Sequence, residues 1–150
     1  MIRTSRRLRI CTCLLICILT FIWGNSMMPG EISGAISDWV KEILANIMPI
    51  GPEEDDGSGH LVRKLAHFTE FTALGATLGW LFGMWNKGKM PAFAYGVLAA
   101  SVDETIQRFV PDRGPSVWDV CLDSCGVLTG IVLLYLGHTY YKQKHLLEDK

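Results

Sequence analysis

Residues 101–123 read SVDETIQRFVPDRGPSVWDVCLD. The stretch is apolar enough for a membrane domain, yet Asp103, Glu104, Gln107, Arg108, Arg113, Asp119 and Asp123 fall within 21 positions of it. A buried Asp or Arg at mid-helix in a bilayer costs about 2.5–3.5 kcal/mol, so ionisable residues in such a segment read as functional by default. Pro111, Gly114 and Pro115 punctuate the stretch as a tight turn. It is therefore a hairpin: the end of one helix, the turn PDRGP, and the start of another. The fold is decided by what that hairpin packs against.

Composition gives the setting. At 150 residues the chain reads as one domain, 1–150. It is 49% hydrophobic and 19% charged, with a mean hydropathy of +0.25, the balance of apolar segments joined by charged loops. The net charge of −1 argues against a nucleic-acid partner. All five cysteines, Cys11, Cys13, Cys17, Cys121 and Cys125, lie inside apolar stretches without zinc-site spacing and read as small apolar fillers.

Working outward from the hairpin, its two arms extend to spans at about 91–110 and 117–141. Glu104, Gln107 and Arg108 project to one face of the first. Asp119 and Asp123 are one turn apart on the second, followed by Gly126 and Gly130 as a small-residue seam. The preceding span, about 61–85, opens with Arg63, Lys64, His67 and Glu70. Its Gly75, Gly79 and Gly83 form a ridge that admits a close neighbour. Short connections make these three spans antiparallel neighbours. A first span at about 10–28 follows Arg3, Arg6, Arg7 and Arg9 and reads as an uncleaved helix rather than a signal peptide. Between it and the second span, residues 31–48 are amphipathic. Ile32, Ile36, Trp39, Val40, Ile43 and Ile47 face one way, and Glu31, Asp38 and Glu42 the other. This helix is expected in the interface plane, as a packing helix against the bundle or as a lid. Pro49 ends it, and the acidic run 53–56 is a solvated loop without calcium-loop spacing. Trp23, Trp85, Trp118, Tyr140 and Tyr141 near the span ends read as interface anchors.

Four spans with both termini cytoplasmic put nine Lys/Arg inside and five outside, with net charges of +7 and −8 that sum to the stated −1. In that topology Lys64, His67 and Glu70, then Glu104, Gln107 and Arg108, then Asp119 and Asp123, all reach the outer end. The expected fold is thus an all-α membrane protein. It is a four-transmembrane-helix bundle with one amphipathic interfacial helix between spans one and two, holding an outward-facing polar site.

The motifs KLAHFTEF and DETIQRFVPDRGPSVWDVCLDSCGVLTG resemble the VanZ-like family of bacterial membrane proteins. The likeness runs over about residues 61–136. Lys64, His67, Glu70, Asp103, Glu104, Gln107, Pro111, Arg113, Asp119, Asp123 and Gly126 match the family pattern in order, with Asp123 where many members have Asn. The resemblance implies a multi-pass protein of the bacterial cell membrane. The family's founding member is linked to low-level resistance to teicoplanin, a lipoglycopeptide acting on cell-wall precursors at the outer face. No particular reaction is implied.

The nine residues Lys64, His67, Glu70, Asp103, Glu104, Gln107, Arg113, Asp119 and Asp123 are the expected ligand-binding set. Three readings remain open. The set binds a membrane lipid head group, a lipid-linked cell-wall precursor or a lipoglycopeptide, with Arg and Lys to pair phosphate or carboxylate. Alternatively it is an intramembrane enzyme on a lipid-linked substrate, with His67, Glu70 and Glu104 as the acid/base candidates. A divalent metal on His67, Glu70, Glu104, Asp119 or Asp123 is compatible with that version but not favoured, and the oxygen donors suit Mg²⁺ or Mn²⁺ better than zinc. Or the set is a structural network that fixes helix register and supports a partner protein.

Overall fold

The computed structural model describes residues 2–47, 58–114 and 116–148. Pro49, the acidic run 53–56 and Pro115 lie outside the described residues. Five helices follow in order: α1 (Ile2–Ser26), α2 (Gly30–Ile47), α3 (Ser58–Met84), α4 (Lys89–Gln107) and α5 (Val117–Glu148). No strand occurs among the described residues.

The central helix is α3, which packs on all four others and most extensively on α5. The predicted glycine ridge explains the closeness. A Cβ at Gly75 would run into the Val127 carbonyl, and one at Gly130 into the Thr72 carbonyl, so the two backbones are in direct contact. Gly126 sits against Phe68 in the same seam. Gly83, expected in the ridge, has nothing within 4 Å, because the ridge stops short of that end. Around the seam Ile22, Phe71, Leu74, Ala99, Ala100, Val127 and Ile131 form a narrow core. Thr72 and Ser124 donate their hydroxyls to carbonyls four residues back, at 2.7 Å each, which satisfies them without a partner helix.

Two helices have the length and apolarity of membrane spans, Ser5–Ser26 within α1 and Val117–Leu146 within α5. In α3 and α4 the inward-facing polar residues lower the hydropathy. In α4 the buried face carries Asp103, Glu104 and Gln107, while Tyr95, Leu98 and Val102 are exposed. The inward face is thus small and apolar at Ala92, Ala99 and Ala100 and polar toward the end of the helix.

Helix boundaries depart from the expectation in two places. The helix α4 ends at Gln107 rather than at 110. Residues 108–112 turn ahead of Pro111, with Asp112 at a positive φ of 57°. At the other arm α5 runs on to Glu148, and beyond Ile131 it is exposed on all sides. The amphipathic helix α2 forms as expected but packs by its small polar face. Ser33 and Ser37 are buried, whereas Ile32, Ile36, Trp39 and Ile43 point outward. Its first residue, Gly30, lies so close to the α4–α5 turn that a Cβ would meet the Asp112 carbonyl, and its N–H donates to the Pro111 carbonyl at 3.2 Å.

Candidate functional site

The three polar sets meet at one end of the bundle. From α3, His67 is buried and Lys64 stands at the rim in a 3.0 Å ion pair with Asp119 of α5. From α4, Asp103, Glu104 and Gln107 are buried, and from α5, Asp123. Helical spacing does this locally: Asp103 and Gln107 are one turn apart, as are Asp119 and Asp123, so each pair shares a face. A cavity of about 240 Å³ opens between them. Arg63, Lys64, His67, Glu104, Gln107, Asp119 and Asp123 line it, with Asp112 and Gly114 of the turn at its mouth.

Hydrogen bonds orient part of the set. Gln107 Nε2 donates to Asp103 Oδ2 at 2.8 Å and to Ser26 Oγ at 3.4 Å. Its Oε1 accepts from Arg63 Nη2 at 3.3 Å. The backbone N–H of Ser116 donates to Glu104 Oε2 at 2.8 Å, which ties the end of α4 to the start of α5. Glu70 lies behind the cavity, where Asn25 Nδ2 donates to its Oε1 at 3.1 Å. His67 Nδ1 is 3.9 Å from both Glu70 Oε2 and Asp103 Oδ2.

Six of the nine expected residues line the cavity; Glu70, Asp103 and Arg113 do not, and the role of Arg113 changes. Arg113 does not sit over the carboxylates, and among the described residues none is within ion-pair distance of it. Instead its Nε donates to the Met28 carbonyl at 3.1 Å and its Nη2 to the Asn25 carbonyl at 3.0 Å. The last carbonyls of a helix have no partner within it and attract a cation, and the end of α1 is the nearest such set. Burial, then the neighbouring Arg63, pulls the guanidinium below its usual pKa, while Asp103, Glu104 and Glu70 oppose that shift. Arg108 keeps a helical backbone, with its N–H donating to the Glu104 carbonyl at 3.2 Å, and lines a second groove with Glu104 and Ser116; it is exposed and stays outside the cavity.

The sequence reading omitted Asn25, Ser26 and Arg63 from the site. Asn25 and Ser26 are polar residues at the exit of an apolar helix, a signal that reads equally well as the membrane boundary. Arg63 had the stronger signal, since it is one turn from His67.

Several buried polar atoms have no hydrogen-bond partner among the described residues: both ring nitrogens of His67, Oε2 of Glu70, Oδ1 of Asp103, Oδ1 of Asp123 and Nη1 of Arg113. Native interiors leave few such atoms unpaired. Here they gather at one end of the bundle, and those of His67 and Asp123 belong to residues that line the cavity.

An all-helical protein with two apolar spanning helices and a buried polar cluster at one bundle end is the class these features define. The sequence model of the VanZ/LLP1 family matches residues 11–138, and the chain belongs to that family. The match takes in α1 and α2, which the motif resemblance left out. No curated protein and no solved structure matches the chain. Family and apolar helices together make it a membrane protein.

Proposed function

We propose that this end of the bundle is an outward-facing site. It would bind the polar head group of a membrane-anchored envelope component, and through it the protein would contribute to glycopeptide resistance. The topology behind this reading has four spans, α1, α3, α4 and α5, with both termini cytoplasmic. At about 1.5 Å per residue α4 is long enough for a hydrocarbon core of about 30 Å, and α3 is longer. The exposed side of α4 carries Tyr95, Leu98 and Val102, and α3 exposes Leu61 and Leu65. The outward-turned Ile32, Ile36 and Trp39 of α2 suit a helix lying in the interface.

The observation that carries the reading is a cavity whose lining holds buried polar atoms without a hydrogen-bond partner among the described residues, both ring nitrogens of His67 and Oδ1 of Asp123. A structural network pairs its members, because a half-satisfied buried network is unfavourable. The size of the cavity sharpens the ligand. At about 240 Å³ it falls below the range of about 300–1,000 Å³ typical of pockets that enclose a drug-sized molecule. It suits a phosphate, sugar or amino-acid head group, with the lipid tail left in the bilayer, and not a whole glycopeptide. A lipoglycopeptide would therefore insert one substituent only, or would compete for the lipid-linked precursor.

Photo-crosslinking of the purified protein with head-group-labelled lipids and with a teicoplanin probe tests this. Saturable labelling that disappears in His67→Gln and Arg63→Gln, with helicity intact, is the expected result. Absent labelling, or labelling indifferent to both substitutions, sinks the proposal. In cells, Glu104→Gln and His67→Gln should lower glycopeptide resistance. A phenotype that survives both would make the cluster a structural network.

A further inference from the structure

The floor of the cavity carries an arrangement that head-group binding does not by itself require. His67, Asp103 and Asp123 come from α3, α4 and α5, and are 7%, 0% and 2% exposed. One ligand-type atom from each lies within 4.8 Å of the other two. Each residue also has at least one buried polar atom with no hydrogen-bond partner among the described residues. Burying such atoms unpaired forfeits their solvation, which their own neighbours do not return.

Charge points the same way. Apart from Asp112 at the mouth, five carboxylates of the site (Glu70, Asp103, Glu104, Asp119 and Asp123) face three fixed cations (Arg63, Lys64 and Arg113). When the acids are ionised, two negative charges are left over. Protonation of His67 would answer one of them. The fixed cations are directed elsewhere: Lys64 to Asp119, Arg63 to Gln107, and Arg113 to the carbonyls at the end of α1.

We propose that His67, Asp103 and Asp123 hold one six-coordinate divalent cation of the Mn²⁺ type, with its open positions facing the cavity. An octahedral ion about 2.1 Å from its ligands sets them about 3–4.2 Å apart, so the three atoms need only a small closure. One imidazole with two carboxylates and room for water lies between the all-oxygen sites of Mg²⁺ and Ca²⁺ and the nitrogen- and sulfur-rich sites of zinc. The outer partners of such a site are present. Gln107 holds Asp103 by its Oδ2, and Glu70 stands 3.9 Å from His67 Nδ1. The ion site stands independently of the head-group reading. Only the further step, that an oxygen of the head group takes an open position on the ion, rests on that reading.

The test uses the full chain in detergent, stripped with chelator and titrated with Mn²⁺. Paramagnetic resonance counts the bound ions and detects nitrogen coupling. About one Mn²⁺ per chain is expected, with coupling from one imidazole nitrogen that is lost in His67→Gln. Asp123→Asn should weaken Mn²⁺ binding at least about tenfold, the scale lost even when an outer partner of a metal ligand is removed. No saturable Mn²⁺, bound Mn²⁺ without nitrogen coupling, or unchanged affinity in Asp123→Asn overturns the proposal. Should the variants fail to fold, nitrogen coupling in the wild-type protein still decides. Running the photo-crosslinking with and without Mn²⁺ separates the two readings. Labelling of a protein that binds no Mn²⁺ removes the ion and keeps the head group. Mn²⁺ binding without labelling does the reverse.

Discussion

The two ends of the bundle carry charge in opposite ways. At the end formed by the start of α3, the end of α4 and the start of α5, charged groups are buried, gathered from three helices, and directed at one another or into a cavity. At the other end Arg7, Lys87, Lys89 and His138 surround a larger, mostly apolar cavity of about 560 Å³, and each is exposed. There the Lys89 ammonium lies over the Tyr135 ring, 3.4 Å from its centre, a cation–π contact. Exposed basic side chains at a helix end anchor a protein in its membrane and contribute little to folding. Buried, incompletely paired ones oppose folding and persist where function needs them. The two ends thus hold charge differently, exposed at one and buried and partly unpaired at the other.

Substitutions can break that contrast. The largest effect should come from Arg113→Ala, which removes two charged hydrogen bonds to the Asn25 and Met28 carbonyls at the end of α1. A loss of about 3–5 kcal/mol is expected, the scale of removing one side of a buried charged network, read by denaturant titration in detergent. Next is the glycine seam. Gly130→Val should cost at least about 1–3 kcal/mol through overpacking, because its Cβ meets the Thr72 carbonyl. Gly83→Ala, toward the opposite end and in open space, should instead gain up to about 1 kcal/mol of helix propensity. Equal losses at the two glycines would contradict the account of the seam. Lys64→Gln breaks a half-exposed ion pair and should change stability by no more than about 1 kcal/mol, yet reduce head-group labelling. The smallest effect belongs to Lys87→Gln, within about 0.5 kcal/mol and with labelling unchanged.

The sequence shows the convergence of the site because three signals agree: helical spacing, short connections and the distribution of Lys and Arg. Lys64, His67, Asp103, Glu104, Gln107, Asp119 and Asp123 needed nothing more. Arg113 was legible as a member but not as a clamp, since the carbonyls it holds belong to a helix end 85 residues away. Arg108 shares a groove with Glu104, as helical projection implies, yet lies outside the cavity. Asn25 and Ser26 were missed because a polar residue ending an apolar segment looks the same whether it faces water or a site. For α2 the periodicity was legible and the packing face was not. In a membrane setting the apolar face has somewhere to go other than the core, and the helix packs by Ser33 and Ser37 instead.

The central claim is that the buried polar end exists for a ligand and not for the fold. The unfolding free energy of Asp123→Asn against wild type, both in chelator and without ligand, tests it most directly. A residue retained for function leaves an unpaired carboxylate that the amide relieves. The variant should then be more stable by about 1–3 kcal/mol, the desolvation cost of an unsatisfied buried group, while head-group labelling falls. A variant less stable than wild type by a similar margin would show that Asp123 holds the bundle together, and would contradict the account.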